Sequence, residues 1–408
     1  MTGALHGVRV VEVASFWGAW AGKVLGDLGA DVVIVEPPGG HVTRDFGPFV
    51  DDEPHPDRSL WWWYYNTSKR SVVIDLDTPR GRDEFRGLVA DADIVLEGEV
   101  PGRLAALDLD HGDLRAERPE LIWVSVTSHG RASERSLEPW TDLTLSAASG
   151  IAWLNGYDDH TLPPMRGRGS QTLQIAGTFA AMATLTALLH RDAGGPGQHI
   201  DVSAFAACNV TTESGTFFYL VAGETVLRQT GRHAMSQPTQ GVQVRAADGR
   251  HVTTGFLPQS AADFQVIVDW LDDLGLRDTS PEAFFLDIGV ARGGVDVATE
   301  MQDPEALAVL EAARAALVHI AEHIPALDFF EGAQRRDLQV GIVLAPEEAF
   351  ENEHFVARGI QVAVRHDELD RDVRYPGAPF VMPRSPWSIS HRPPLVGEHQ
   401  AEVLGKQP

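Results

Sequence analysis

Short valine-rich runs alternate with stretches of helical periodicity through the first half of the chain. GVRVVEV at 7–13 reads as a buried strand. Gly18, Gly22, Gly26 and Gly29 then recur at helical spacing and predict a close-packing helix over about 18–29. DVVIVE at 31–36 is a second strand, which makes a β-α-β unit with a right-handed crossover. The alternation continues with SVVIDL at 71–76, a helix at about 79–90, DIVLE at 93–97, a helix near 101–107 and LIWVSVT at 121–127. Strands alternating with helices predict an α/β fold built on a doubly wound parallel sheet. An apolar helix over 171–190 ends at HRDAGGPGQ, and HIDVSAFAA supplies a strand and a further helix.

The rhythm changes after residue 222. The stretch 222–240 is polar and reads as a linker. VQVRAADGRHVTTGF forms a hairpin around Asp248-Gly249, with helical patterns at 260–275 and 302–325. Strand character returns near 336–345, and the tail at 370–398 is rich in proline and arginine, as expected of a segment running along a surface.

At 408 residues the chain is long enough for two domains. A net charge of −25 argues against nucleic acid and anionic membranes as partners. Cys208 is the single cysteine, which excludes an internal disulfide and a thiolate metal cluster, and its small apolar neighbours predict a buried, inert thiol. Asp158, Asp159 and His160 form an acidic turn without partner ligands at known spacing, so no metal is expected. No signal-peptide pattern opens the sequence and no run approaches roughly 18 apolar residues, so a cytoplasmic location is expected.

NTSKRSVVIDL at 66–76 places Lys69 and Arg70 at a strand entrance, a plausible seat for a phosphate on an otherwise acidic chain. The first turn argues against a nicotinamide site. The first turn reads ASFWGAWAG, with Phe16 and Trp17 where glycines must admit a pyrophosphate.

These segments, in this order, resemble the family III CoA-transferases, the group that includes formyl-CoA transferase, carnitine CoA-transferase and α-methylacyl-CoA racemase. LHGVRVVEVA and LGDLGADVVIVEPPGG resemble the family's opening, and NTSKRSVVIDLDTPRGR its N-x-x-K-R-S-x-x-L-D-L block. ADADIVLEGEVPG, ALLHRDAGGPGQHIDVS, HFVARGI, YPGAPF and PPLVGEH are similar to later blocks, so the likeness runs nearly end to end. It implies a Rossmann-like large domain from both chain ends, here 1–222 and 331–408, with a smaller α+β domain at 223–330. It also implies two interlocked chains, as a homodimer or as a heteromer with a paralogous subunit, acting on an acyl-CoA and a carboxylic acid. By position it assigns CoA contacts to Phe16, Trp17, Arg44, Asn66, Lys69, Arg70 and Arg103.

One block departs from the family. The transferases carry a nucleophilic aspartate four residues before a helix glycine, and here Leu173 stands four before Gly177. A slip of one residue gives Thr172 or Gln174, and no acidic residue lies between Asp159 and Asp192. The racemase histidine matches Thr141 beside Asp142, the asparagine after the fourth strand is Gly98, and the position near 127 is Thr127. A leucine can neither form an acyl anhydride nor move a proton. Three readings follow. The chain is the non-nucleophilic subunit of a heteromeric CoA-transferase, as in the aromatic-succinate enzymes built from two related subunits. Or it is catalytic through a substituted residue, with His129 or Asp142 as candidates. Or it is a non-catalytic CoA-thioester binding protein. The run Trp61 to Tyr65 (WWWYY) supplies core, and part of it is expected to line a pocket for a large or ring-bearing acyl group.

Overall fold

The computed structural model describes residues 2–296 and 303–405. They form two compact units. The larger comprises 1–155, 163–224 and 350–408, and the smaller 156–162 and 225–349.

The larger unit is built on six parallel strands: β1 (Arg9–Val13), β2 (Asp31–Glu36), β3 (Lys69–Val73), β4 (Ile94–Glu97), β5 (Ile122–Thr127) and β6 (His199–Ser203). Their order is β3-β2-β1-β4-β5-β6, with all neighbours parallel. The inner strands β1, β2, β4 and β5 are largely buried on both faces because both are covered. Val10, Val32, Ile94, Leu96 and Val124 pack with Leu25 of α1 (Ala19–Asp27) and with Ala176, Ala180 and Leu188 of α6 (Gln171–Asp192). Val11, Val33, Val72, Val95 and Trp123 face the other way, onto Phe85 and Leu88 of α3 (Pro79–Ala90). By length and composition α6 suits a membrane span, yet half of it is buried on this sheet. Gly177 lets α1 and α6 approach, since a Cβ there would lie 2.8 Å from Trp20 Cβ. The helix expected near 101–107 is a single 3-10 turn, Ala105–Leu107.

Trp61 to Tyr65 lie in the short helix α2 (Leu60–Tyr65), capped by Ser59 Oγ accepting from Trp62 N. Trp62 and Trp63 pack against a C-terminal hairpin, Gln361–His366 with Arg371–Pro376. Beyond it the tail closes the open edge of β3. Ser68 N donates to His391 O, His399 N to Ser71 O, and Val73 N to Gln400 Oε1. An edge strand covered in this way cannot pair with another chain.

In the smaller unit Gln243–Arg245, His251–Thr253 and Gly341–Ile342 make an antiparallel sheet. Its core holds Phe264, Trp270, Leu317 and Phe329 from helices Ala261–Asp273, Pro304–His323 and Ala326–Gln334. Ile342 pairs with Val252, so the strand expected to reopen the large domain completes the small one. The chain returns to the larger unit at 350 rather than 331. The stretch expected as a linker at 222–240 contains a hairpin, Leu227–Gln229 with Arg232–Met235.

Candidate functional site

The sheet order reverses between β1 and β4, and ligands in open α/β sheets bind at the carboxyl ends of strands beside such a reversal. A cavity of about 1020 Å³ lies there. Ser15, Phe16 and Trp17 follow β1, and Gly98, Glu99 and Val100 follow β4. The loop His41–Gly47, Trp61 of α2, Thr141 to Leu143 at the start of α5 (Asp142–Ala148), and Arg166 to Ser170 before α6 complete the lining.

Aromatic rings form one wall. Phe16 stacks on Trp61 with centroids 5.7 Å apart and meets Trp17 edge-on at 5.0 Å. Phe46 meets Trp61 edge-on at 5.4 Å. Phe16 and Trp17 therefore stand at the cavity.

The cations assigned to CoA phosphates are placed otherwise. Lys69 is wholly buried, donating to Glu12 Oε1 at 2.9 Å, Ala19 O at 3.0 Å and Asn66 Oδ1 at 2.9 Å. Asn66 Nδ2 donates to Trp62 O, which makes the asparagine part of the same internal network. Arg44 is buried too. Its Nε and Nη2 grip Glu36 at 2.6 and 2.8 Å, Nη1 reaches Asp57 at 2.9 Å, and its guanidinium lies 3.8 Å over the Trp62 ring. Arg70 is bidentate to Asp31 and reaches Glu402, and Arg103 pairs with Asp77 at 2.8 Å. Each cation already has a carboxylate of this chain. Lys69, Asn66 and Arg44 are interior framework rather than ligand surface, which corrects the expectation from position alone. A single sequence displays cations plainly but does not say which distant carboxylate meets them.

Leu173 is fully buried in the first turn of α6, packed with Ala19 and Tyr65 and bordered by Phe16, Trp20, Trp61 and Tyr64. Asp142 does line the cavity, but both oxygens are engaged. Oδ1 accepts from Thr172 N at 2.9 Å and Thr172 Oγ1 at 2.6 Å, and Oδ2 accepts from Arg166. This carboxylate caps α6, whose own N-cap Ser170 makes no side-chain cap bond. His129 is not among the lining residues. Its ring lies 4.3 Å from that of Trp140 and 5.2 Å from that of Phe205, with both nitrogens shielded and without a hydrogen-bond partner among the described residues. Burial lowers its pKa, and the nearby Arg135 adds to the effect.

Sequence reading missed three groups on the cavity. Glu99 is half-buried, and burial, reinforced by Glu97, raises its pKa despite Arg103. His41 is pushed down, chiefly by burial, and is neutral at pH 7. Arg168 is exposed to the cavity and makes no hydrogen bond or ion pair among the described residues. The EGE and RGR triplets carrying Glu99 and Arg168 show charge without any helical or strand period to place it. Away from the cavity Cys208 is buried, its thiol pushed up to about 12, and Asp158 is held by Arg232 at 2.8 Å.

A family model for CoA-transferase family III matches residues 5–283 and 287–400. The succinyl-CoA:(R)-benzylsuccinate CoA-transferase subunit BbsE of Thauera aromatica is 28% identical, over 97% of this chain and 92% of that protein. The succinate–glutarate CoA-transferase of Agrobacterium fabrum is 29% identical, over 98% and 95%. A crystal structure of a CaiB/BaiF family protein from Brucella suis superposes with a TM-score of 0.79 at 24% identity, covering 99% of each chain. The chain belongs to CoA-transferase family III, whose members use CoA thioesters as substrate and pass CoA between acids.

Proposed function

We propose that this chain is the non-nucleophilic subunit of a heteromeric CoA-transferase. The observation that carries the reading is Leu173, an inert side chain sealed in the core where the family places its nucleophile. Asp142, the carboxylate that reaches the first turn of α6, has both oxygens committed to Thr172 and Arg166. The likeness to a protein named as a subunit supports a second chain.

In this reading the partner's aspartate attacks the thioester carbonyl of the donor. The C–S bond breaks, CoA leaves as thiolate, and a mixed anhydride forms. The thiolate then attacks the aspartyl carbonyl, releasing the donor acid and leaving an aspartyl-CoA thioester. The acceptor carboxylate attacks that thioester and expels the thiolate, which takes the acyl carbon of the new anhydride and regenerates the aspartate. No net proton moves, so one carboxylate suffices as nucleophile and leaving group. The two chains interlock, and this one contributes pocket walls and interface.

A second reading, catalysis by a substituted carboxylate, rests on Glu99, which lines the cavity and whose pKa is raised by burial and by Glu97. The test is CoA transfer from succinyl-CoA to a panel of acids by the purified chain alone and co-expressed with its genomic paralogue. The heteromer requires activity only in the mixture, lost when the paralogue's aspartate is replaced. Activity of this chain alone sinks it.

A further inference from the structure

The cavity beside β1 and β4 combines a wall of rings, one arginine without a hydrogen-bond or ion-pair partner among the described residues, and a shortage of other available positive charge. Phe16 lies 5.0, 5.7 and 6.4 Å from the rings of Trp17, Trp61 and Phe46, and Phe46 lies 5.4 Å from Trp61. Of the two lining arginines, Arg166 is committed to Asp142 and Arg168 is not committed. Asp45 and Glu99 also line the cavity, and His41 is neutral at pH 7. The four cations that position would assign to phosphates are paired elsewhere, two of them in the interior.

The phosphorylated end of CoA carries about four negative charges, roughly −1.5 to −2 on its 3′-phosphate monoester and about −1 on each phosphate of its pyrophosphate diester. A cavity with one available cation and two further carboxylates repels such a group. A single carboxylate on an apolar ring system fits the same surface. The ring buries against the aromatic wall, and Arg168 offers a planar fork to one carboxylate.

We infer that this cavity is a binding site for a ring-bearing carboxylic acid, held by Arg168 and the Phe16–Trp61 wall, and not for the phosphates of CoA. The inference rests on the heteromeric reading in one respect. With Leu173 sealed in the core where the family places its nucleophile, an acid bound here is not consumed by this chain, and the phosphorylated end of CoA is seated on the partner subunit.

The test is calorimetric titration of the full chain with four probes: 3-phenylpropanoate, propanoate, 3-phenylpropan-1-ol and adenosine 3′,5′-bisphosphate. The expected result is 3-phenylpropanoate binding about tenfold or more tighter than propanoate, the scale of burying one ring. Adenosine 3′,5′-bisphosphate is expected neither to bind nor to compete. Arg168→Gln, an exposed change that leaves the core untouched, is expected to weaken 3-phenylpropanoate about tenfold and leave the alcohol unchanged. Trp61→Ala is expected to remove most of the advantage over propanoate. Competition by the bisphosphate, equal affinity for the two acids, or an Arg168→Gln variant that binds 3-phenylpropanoate normally overturns the inference. Binding is read without turnover. Loss of the binding pattern with intact transfer in the mixture defeats the inference alone, and the binding pattern without transfer in any mixture defeats the heteromeric reading alone.

Discussion

Lys69 Nζ lies 2.8 Å from Glu12 Oε2, with neither side chain exposed. Glu12 comes from β1 and Lys69 from β3, and the pair is closed over by Gly22 of α1, where a Cβ would stand 1.8 Å from Glu12 Oε2. Burial raises the pKa of Glu12 and lowers that of Lys69, while their mutual attraction opposes both shifts. Removing one partner leaves an uncompensated buried charge. Lys69→Met is expected to destabilise the fold by about 3–5 kcal/mol, whereas the double change Glu12→Leu with Lys69→Met loses less. Gly22→Ala forces the pair apart and is expected to cost about 1–3 kcal/mol or more. Urea denaturation of the three variants checks both expectations.

Arg103 gives the opposite case. It pairs with Asp77 at the surface, with side chains 41% and 68% exposed. Arg103→Ala is expected to change stability by less than about 1 kcal/mol. It is also expected to leave KM for the CoA thioester unchanged in the mixed enzyme, which steady-state kinetics checks.

Leu173 packs without exposure between Ala19 and Tyr65. Leu173→Ala opens a cavity and is expected to lower stability by about 2–5 kcal/mol. Since the leucine performs no chemical step, kcat of the mixed enzyme is expected to hold at temperatures where the variant stays folded. Thermal melts and turnover on one preparation separate the two effects.

His199 stacks on His111 with ring centroids 3.9 Å apart and shares a 3.0 Å hydrogen bond with Ser125 Oγ. Burial first, then His111 and Arg131, pushes its pKa from 6.5 down to about 4. The unfolded chain takes up this proton near the ordinary value and the folded chain resists it. His199 therefore leaves stability unaffected well above pH 6.5 and reduces it as pH falls toward about 4. With the ring half-buried, the loss is expected to be about 1–2 kcal/mol. The stability difference between wild type and His199→Gln, followed from pH 7 to pH 4.5, reads this contribution.

The sheet was legible because most of its strands contain valine- and isoleucine-rich runs. DVVIVE was expected at 31–36 and is β2 at Asp31–Glu36, and the helix expected at 79–90 is Pro79–Ala90. Those signals are local. The loss of the nucleophile was equally legible, since no acidic residue occurs within the block around Leu173. The roles of Arg44 and Lys69 were not, because Glu36 and Glu12 meet them only after the strands are laid side by side. The domain boundary failed for the same reason. Ile342 looks like any strand residue until its pairing with Val252 assigns it to the smaller unit. Glu99 and Arg168 sit on loops, where charge carries no period, and only the folded cavity brings them together.

The most direct measurement traps the covalent intermediate. The co-expressed pair is incubated with succinyl-CoA, the enzyme-bound thioester is reduced with borohydride, and the modified peptide is mapped by mass spectrometry. The heteromeric account predicts modification of an aspartate of the partner subunit and none of this chain. A reduced adduct on Glu99 or Asp142 would contradict it and make this chain the nucleophilic one.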